Sequence, residues 1–400
     1  MFQGLKVADF SWVAVGPVTM RHLADYGATV VRVESNSRPE ALRAAGPYKD
    51  NIPGIDRTSF FADFNAGKYG MSLNLNHPKG QEVARRLIAW ADVVSESFTA
   101  GMMKRWGLNY ERAREINPRI IYLSTTQQGQ TGPLAAQPGF GTQLVSLAGF
   151  TYLIGYPDRE PAGTYGAYTD YVNPWFGAAV VAGALEYRKR TGKGLHIDQS
   201  QLEGGLQFLA PVVLDYTVNG RVATRKGNRC SKAVPHNAYP CSGEDRWITI
   251  AVFNDRQWSG LCEAMGHPSW AKESRFRTML GRKRNEEELD KLVGEWTSRQ
   301  EAHGLMQRLQ EKGVPAGVVQ TAEDMFNDPQ LKQRGHFVPL RHSEIGLHSY
   351  DSFAFRLSES GGEPGSAAPC LGEHNEKVYK EVLGYSEEEI ADLIAEGVID

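Results

Sequence analysis

The chain has 400 residues, 41% apolar and 23% charged, near the values of soluble globular proteins, so it is too long for one ordinary core and too apolar for disorder. Two or three domains are expected. The net charge of −3 has no long single-sign run behind it, which excludes an electrostatic footprint for nucleic acid.

The first residues, MFQGLKVADFSWV, lack the basic, apolar and cleavage-site regions of a signal peptide, and no run of about 18 apolar residues predicts a membrane span. Cys230, Cys241, Cys262 and Cys370 show no CxxC spacing. A zinc site is therefore not expected, and free thiols in a reducing cytoplasm are.

Residues 5–10 (LKVADF) form an apolar run suited to a buried strand. Gly16-Pro17 precedes a helical stretch through Asp25, which Gly27 can end. Residues 28–34 (ATVVRVE) are a second β-rich run, so strand, helix and strand follow within about 30 residues, as in a parallel βαβ unit. The pattern repeats. Residues 71–75 are extended, residues 79–90 are helical with Val83, Leu87 and Ile88 on one face, and residues 92–96 are strand-like. A helical segment at 112–116 then leads to a strand at 120–124. These alternations predict an α/β fold: a large doubly wound, Rossmann-like domain with its ligand crevice at the carboxyl ends of the strands.

Residues 174–190 predict a helix, with Pro174 at its first position and Arg188, Lys189 and Arg190 at its end. The large domain is placed at 1–217 and a polar, glycine-bearing linker at 218–235. Residues 247–253 open a strand in a smaller α+β domain at 236–325, with helices at 285–297 and 301–312. Residues 326–400 are expected to return to the large domain and end in a helix that Ser386 and Glu389 cap together.

Asp170 lies four residues before Pro174. A carboxylate beside a helix start is stabilised by the free N–H groups and the dipole, and read alone it is an ordinary capping residue. The same group can also serve acyl transfer as a covalent nucleophile. Gly16-Pro17 matches neither GxGxxG nor a P-loop. Lys68, in NAGK, reads as a polar turn residue able to touch a phosphate. His196, His236 and His374 have no metal spacing and read as structural. Ser97 and Ser200 lack a G-x-S-x-G elbow. Asp9, Asp25 and Asp92 read as caps or solvated ends.

Several segments in order resemble the class III coenzyme A transferases, the formyl-CoA and carnitine CoA-transferase (CaiB/BaiF) family. They are GLKVADFSWVAVGP, LADYGATVVRVES, NAGKYGMSLNL, ADVVSESFTAGMMKRWGL, NPRIIYLSTTQQGQTGP, TDYVNPWFGAAVVAGALEYRKRTGKG, PLRHSEIG and PCLGEHNEKVYKEVLGY. The resemblance covers nearly the whole chain. It implies that Asp170 attacks an acyl-CoA thioester and passes through an aspartyl anhydride and an aspartyl-CoA thioester, in a pocket that excludes water. No permanent cofactor is implied; the CoA thioester is itself the substrate.

By matching segments, the resemblance carries the CoA site onto Ala14 and Val15, Ser35, Leu73 to Asn76 (Leu73, Asn74, Leu75, Asn76), Ser97 and Phe98, Arg105, and Gln137, Pro138, Gly139 and Phe140. Two positions depart from the family: Ser35, where relatives carry a basic residue, and Ser97, where they carry asparagine. The polar groups and glycine run of formyl-CoA transferases are missing. Trp12, Tyr48, Tyr168 and Trp175 instead imply a larger acid, with the transferases of aromatic acid breakdown (benzylsuccinate, phenyllactate) closest and succinyl-CoA as a donor. An α-methylacyl-CoA racemase is the alternative enzyme, disfavoured because AAQPGFGTQ has no histidine. A non-catalytic CoA-binding subunit is the alternative from another class. The family further implies an interlocked dimer, either a homodimer or a heteromer with a related subunit.

Overall fold

The computed structural model describes residues 1–362 and 364–400. The chain divides into two compact units. The first comprises Met1–Phe150, Gly163–Val222 and Gln330–Asp400; the second comprises Thr151–Ala162 and Ala223–Pro329. Residues 151–162, which the sequence reading placed in the large domain, group with the second unit.

The first unit is built on six parallel strands: β1 Lys6–Asp9, β2 Thr29–Glu34, β3 Tyr69–Ser72, β4 Val93–Glu96, β5 Ile121–Thr126 and β6 Leu195–Ser200. Their order is β3-β2-β1-β4-β5-β6, the doubly wound arrangement, with the reversal between β1 and β4. Its helices are α1 Val15–Asp25, α2 Ser59–Asn65, α3 Pro78–Trp90, α4 Met102–Arg105, α5 Tyr110–Ile116 and α6 Gly141–Leu147. After the one-turn α7 Phe150–Leu153 follow α8 Tyr168–Thr191, α9 Gln201–Phe208 and α10 Ala210–Asn219.

Alternate side chains of each strand feed opposite faces of the sheet. Val31, Val33 and Met71 pack with Val83, Leu87 and Ile88 of α3 and with Tyr379, Leu393 and Val398 of the return segment. Val7, Val30, Ile121 and Leu123 pack with Met20 and Leu23 of α1 and Val181 of α8. The return segment is tied to the sheet edge as well: the Tyr379 hydroxyl donates to Ser72 O at 2.9 Å, and Asn74 N donates to Val398 O at 2.9 Å.

Helix α8 begins six residues before the predicted start, and Pro174 lies inside it. Proline there cannot donate to the carbonyl of Asp170, so the helix crosses a weak point that the sequence reading took for its beginning. Asp170 is consequently in the first turn, not ahead of the helix.

The second unit holds an antiparallel sheet of β7 His236–Pro240, β8 Trp247–Ala251 and β9 Ala316–Val318. Helices Asp255–Ala264, Glu286–Thr297 and Ala302–Glu311 cover it through Leu261, Leu289 and Leu305. The return segment carries a hairpin, β10 Phe337–His342 and β11 Gly346–Asp351, and the last helix, Glu387–Ala395, has the predicted Ser386–Glu389 capping box.

Candidate active site

The site begins where β1 ends. Asp9 is fully buried and was misread as a cap: Lys68 Nζ lies 2.8 Å from its Oδ2, and the Arg32 guanidinium lies 3.6 Å away. Burial alone would disfavour the Asp9 charge, but Lys68 and Arg32 outweigh it and hold the carboxyl below its ordinary range. Lys68 also donates to Pro17 O and Asn65 Oδ1, so it is a buried strut and not a phosphate contact. Asp25 is likewise buried, 3.3 Å from Arg21, and burial pushes its carboxyl up to about 7.

Above this charged layer, residues 11–16 turn tightly into α1. A Cβ on Gly16 would lie 2.2 Å from the Ser11 Cβ, so glycine is required for the chain to fold back. Val13 has φ +68°, a left-handed backbone that a β-branched residue rarely adopts.

Two adjoining cavities open at the carboxyl ends of the strands, sharing Trp12, Phe98 and Thr99 on their walls. The outer one, of about 390 Å³, is lined by Ser35, Leu73, Asn74, Leu75, Asn76, Phe98 and Arg105 from the predicted set. The inner one, of about 210 Å³, is lined by Ala14, Val15, Ser97, Phe98, Gln137, Pro138, Gly139, Phe140 and Asp170. Residues spread over 157 positions of sequence thus meet in one cleft, and every predicted site residue borders it.

Asp170 is the acid of the inner cavity. Among the described residues no hydrogen bond or ion pair engages its carboxylate, and burial pushes it up to about 7. The helix start does not keep it low, as the sequence had implied, because desolvation is the controlling influence. Gly141 makes room for it: a Cβ there would lie 2.4 Å from Asp170 Oδ1.

Some predicted contacts are already taken. The Ser35 hydroxyl donates to Asp400 Oδ2 at 2.5 Å, and Ser37 N donates to the same oxygen at 2.9 Å. A carboxylate at that turn repels a phosphate, so Ser35 borders the cavity without offering it a free donor. Asn76 Oδ1 accepts from Trp106 Nε1, and Gln137 Oε1 accepts from Gln128.

Sequence reasoning missed Arg38, which lines the outer cavity with its guanidinium 5.8 Å from the Trp12 ring centre. Its signal was present, a basic residue three positions past the serine that replaces the family's basic one. Also missed were Thr125, Thr126, Gln127 and Gln201 of the inner cavity. Among the described residues the buried hydroxyls of Thr125 and Thr126 have no partner. Three of the four aromatic residues that implied a large acid lie elsewhere. Tyr168 packs on Phe150 and Phe208, Trp175 stacks on His22 at 4.3 Å, and Tyr48 pairs with Thr58; only Trp12 reaches the cleft.

His196 bonds Ser124, His236 bonds Asn228 O, and His374 accepts from Gly70 N. Among the described residues no cluster of His, Cys, Asp and Glu is placed to hold a metal, and no helix is long and apolar enough to cross a membrane.

Fold and cleft together define a doubly wound α/β protein with a cleft at the carboxyl ends of its strands and an aspartate carboxylate on the cleft wall. Comparison with known proteins names the family. The sequence pattern of CoA-transferase family III matches residues 2–375. The chain is 31% identical to the succinyl-CoA–D-citramalate CoA-transferase of Chloroflexus aurantiacus over 395 residues, covering 99% of this chain and 97% of that one. It is 32% identical to the beta subunit of the succinyl-CoA–L-malate CoA-transferase of the same organism, covering 99% and 97%. Among solved structures, a CaiB/BaiF family protein from Brucella suis superposes with a TM-score of 0.88 at 32% identity, covering 95% of this chain and 99% of that one. The chain belongs to CoA-transferase family III. It is a class III CoA-transferase, which moves CoA from an acyl-CoA to an acid, so the CoA thioester is its substrate.

Proposed function

We propose that Asp170 is the nucleophile of this transfer and that the acid accepted is a small dicarboxylic acid, with succinyl-CoA as donor. The observation that carries the reading is the unpaired, half-buried Asp170 carboxylate on the wall of the inner cavity. A desolvated carboxylate is a stronger nucleophile than a hydrated one, and its missing partners leave it free to attack.

An Asp170 oxygen adds to the thioester carbonyl, the C–S bond breaks, and CoA leaves as the thiolate with an acyl-aspartyl anhydride behind it. The thiolate then attacks Cγ of Asp170 and releases the donor acid as its carboxylate. The acceptor carboxylate displaces the thiolate from the resulting aspartyl-CoA thioester, forming a second anhydride. Attack of the thiolate on the acceptor's acyl carbon gives the new acyl-CoA and restores Asp170. Trapping the aspartyl thioester with borohydride or hydroxylamine and mapping it by mass spectrometry tests the assignment; a label on any other residue rejects it.

Arg38 and Arg105 supply the positive charge of the outer cavity, and among the described residues neither has a carboxylate partner; we assign them the CoA phosphates. Among the described residues that line it the inner cavity has no cation, but it offers hydroxyl and amide groups from Thr125, Thr126, Gln127 and Gln201. Such groups suit the distal carboxylate or hydroxyl of a compact acid better than a phenyl ring. The substrates in the names of the two Chloroflexus relatives, D-citramalate and L-malate, point the same way. With succinyl-CoA as donor, L-malate, D-citramalate or glutarate is expected to exchange CoA at least tenfold faster than benzylsuccinate, as read by liquid chromatography of the CoA esters. The opposite order would restore the aromatic acid.

The expected dimer has a surface to form on. No residue of α10 is buried, and Leu214, Tyr216 and Val218 on it are exposed, as are Trp175 and Phe176 of α8. A homodimer has twice the chain mass of 44.3 kDa by light scattering. A monomer that gains activity on mixing with a second family member would instead identify a heteromer, the arrangement of the malate enzyme's subunits.

A further inference from the structure

We infer that Ser97 is a positioning residue: its hydroxyl clamps the Trp12 peptide and thereby holds Val13 in the left-handed turn that shapes the inner cavity. The inference rests on the reading that this cavity is the reacting site, and it gives Ser97 a task other than the CoA contact the family resemblance implied.

The hydroxyl is used in both directions. Trp12 N donates to Ser97 Oγ at 2.7 Å, and Ser97 Oγ donates to Trp12 O at 2.9 Å. Ser97 is itself set by the end of β4, where the next residue, Phe98, donates its N–H to Glu96 Oε2 at 2.8 Å. On the near side of the turn, Ser11 is held by its carbonyl, which accepts from Arg32 at 2.6 Å, and by its N–H, which donates to Asp9 at 3.1 Å. On the far side, Ala14 O accepts from Val18 N at 2.9 Å as α1 starts. Ser11, Trp12 and Ala14 are therefore each tied down, and Val13 absorbs the mismatch with φ +68°.

For a β-branched residue that conformation is disfavoured by roughly ten- to a hundred-fold in population, and it persists because its surroundings over-determine it. Of the ties, the Ser97 clamp is the one at the residue directly before Val13. Without it, Val13 is free to relax to negative φ, and the wall formed by Trp12, Val13, Ala14 and Val15 beside Asp170 shifts. A shift of about 1 Å there is enough to cost catalysis heavily.

The test is a double-mutant cycle on CoA transfer, with folding checked by thermal melts. Ser97→Ala is expected to lower kcat roughly thirty-fold while the KM for the acyl-CoA moves less than about three-fold, and Ser97→Thr, which keeps the hydroxyl, is expected to retain most activity. Glycine adopts positive φ without strain, so in a Val13→Gly background the same Ser97→Ala change should cost less than about three-fold. A loss of equal size in both backgrounds, or a Ser97→Ala enzyme within two-fold of the parent, overturns the inference. The cycle reads whatever turnover the enzyme shows, so it stands or falls apart from the Asp170 assignment, which trapping and Asp170→Asn decide.

Discussion

Asp170→Asn is expected to lower kcat by about ten-thousand-fold or more, because the amide oxygen cannot form the anhydride on which the transfer depends. The same substitution should stabilise the fold, and the sign follows from the carboxyl's position. Burial raises it to about 7, well above the ordinary aspartate range, so the folded chain holds this proton more tightly than the unfolded chain does. Below the ordinary range both states are protonated and the group costs nothing. As pH rises towards 7 the unfolded chain ionises first, stability falls, and above 7 the full penalty is present. Asparagine removes it, by about 2 kcal/mol once partial solvent exposure is allowed for. Thermal melts at pH 8 should therefore separate Asp170→Asn from the parent by more than melts at pH 5 do. In the parent enzyme, kcat/KM should fall with unit slope below about pH 7. An Asp170→Asn enzyme within tenfold of the parent, freed of deamidated protein, would sink the nucleophile assignment.

Lys68→Met carries the largest expected cost in stability. Its ammonium is fully buried, with Asp9 Oδ2, Pro17 O and Asn65 Oδ1 all within 2.9 Å. Burial pulls it down to about 8 against the pull of Asp9, so it is charged at neutral pH. Methionine fills the space but leaves the Asp9 carboxylate with one cation fewer and the buried Asn65 Oδ1 without its donor. Breaking a buried pair in this way costs about 3–5 kcal/mol. Arg112–Glu115, an exposed pair at 2.7 Å, is the control, and Arg112→Ala should leave the denaturant midpoint essentially unchanged. Denaturant midpoints for the two variants measure the contrast. Equal, small losses would show that the charged layer under the site is not structural.

The layer matters because it lies directly beneath the turn that borders Asp170. Arg32 reaches from Asp9, Glu34 and Glu40 to the carbonyl of Ser11, so the wall of the inner cavity is braced from the protein interior. None of this was apparent from the sequence. Asp9, Lys68 and Asp25 each lie at the edge of a predicted element, where charged residues ordinarily meet water, and their local patterns carry no mark of burial.

Local pattern did determine a good deal. The runs LKVADF, ATVVRVE and IIYLS are too apolar and β-branched to be anything but buried strands, and the helical spacing between them forces parallel crossovers. The ordered family segments, with Asp170 ahead of Ala184-Leu185, were equally legible, because motif order is a property of the chain itself. What depends on partners far along the chain was decided only by tertiary structure. Strand order, the meeting of Ala14, Asn74, Phe98, Gln137 and Asp170 around one cleft, and the turning of Tyr48, Tyr168 and Trp175 away from it are of this kind. So is the state of Asp170. The sequence placed a carboxylate near a helix start, where a dipole would keep it ionised, but its burial depends on neighbours such as Gly141 brought in from another segment, and that burial is what raises it towards neutrality.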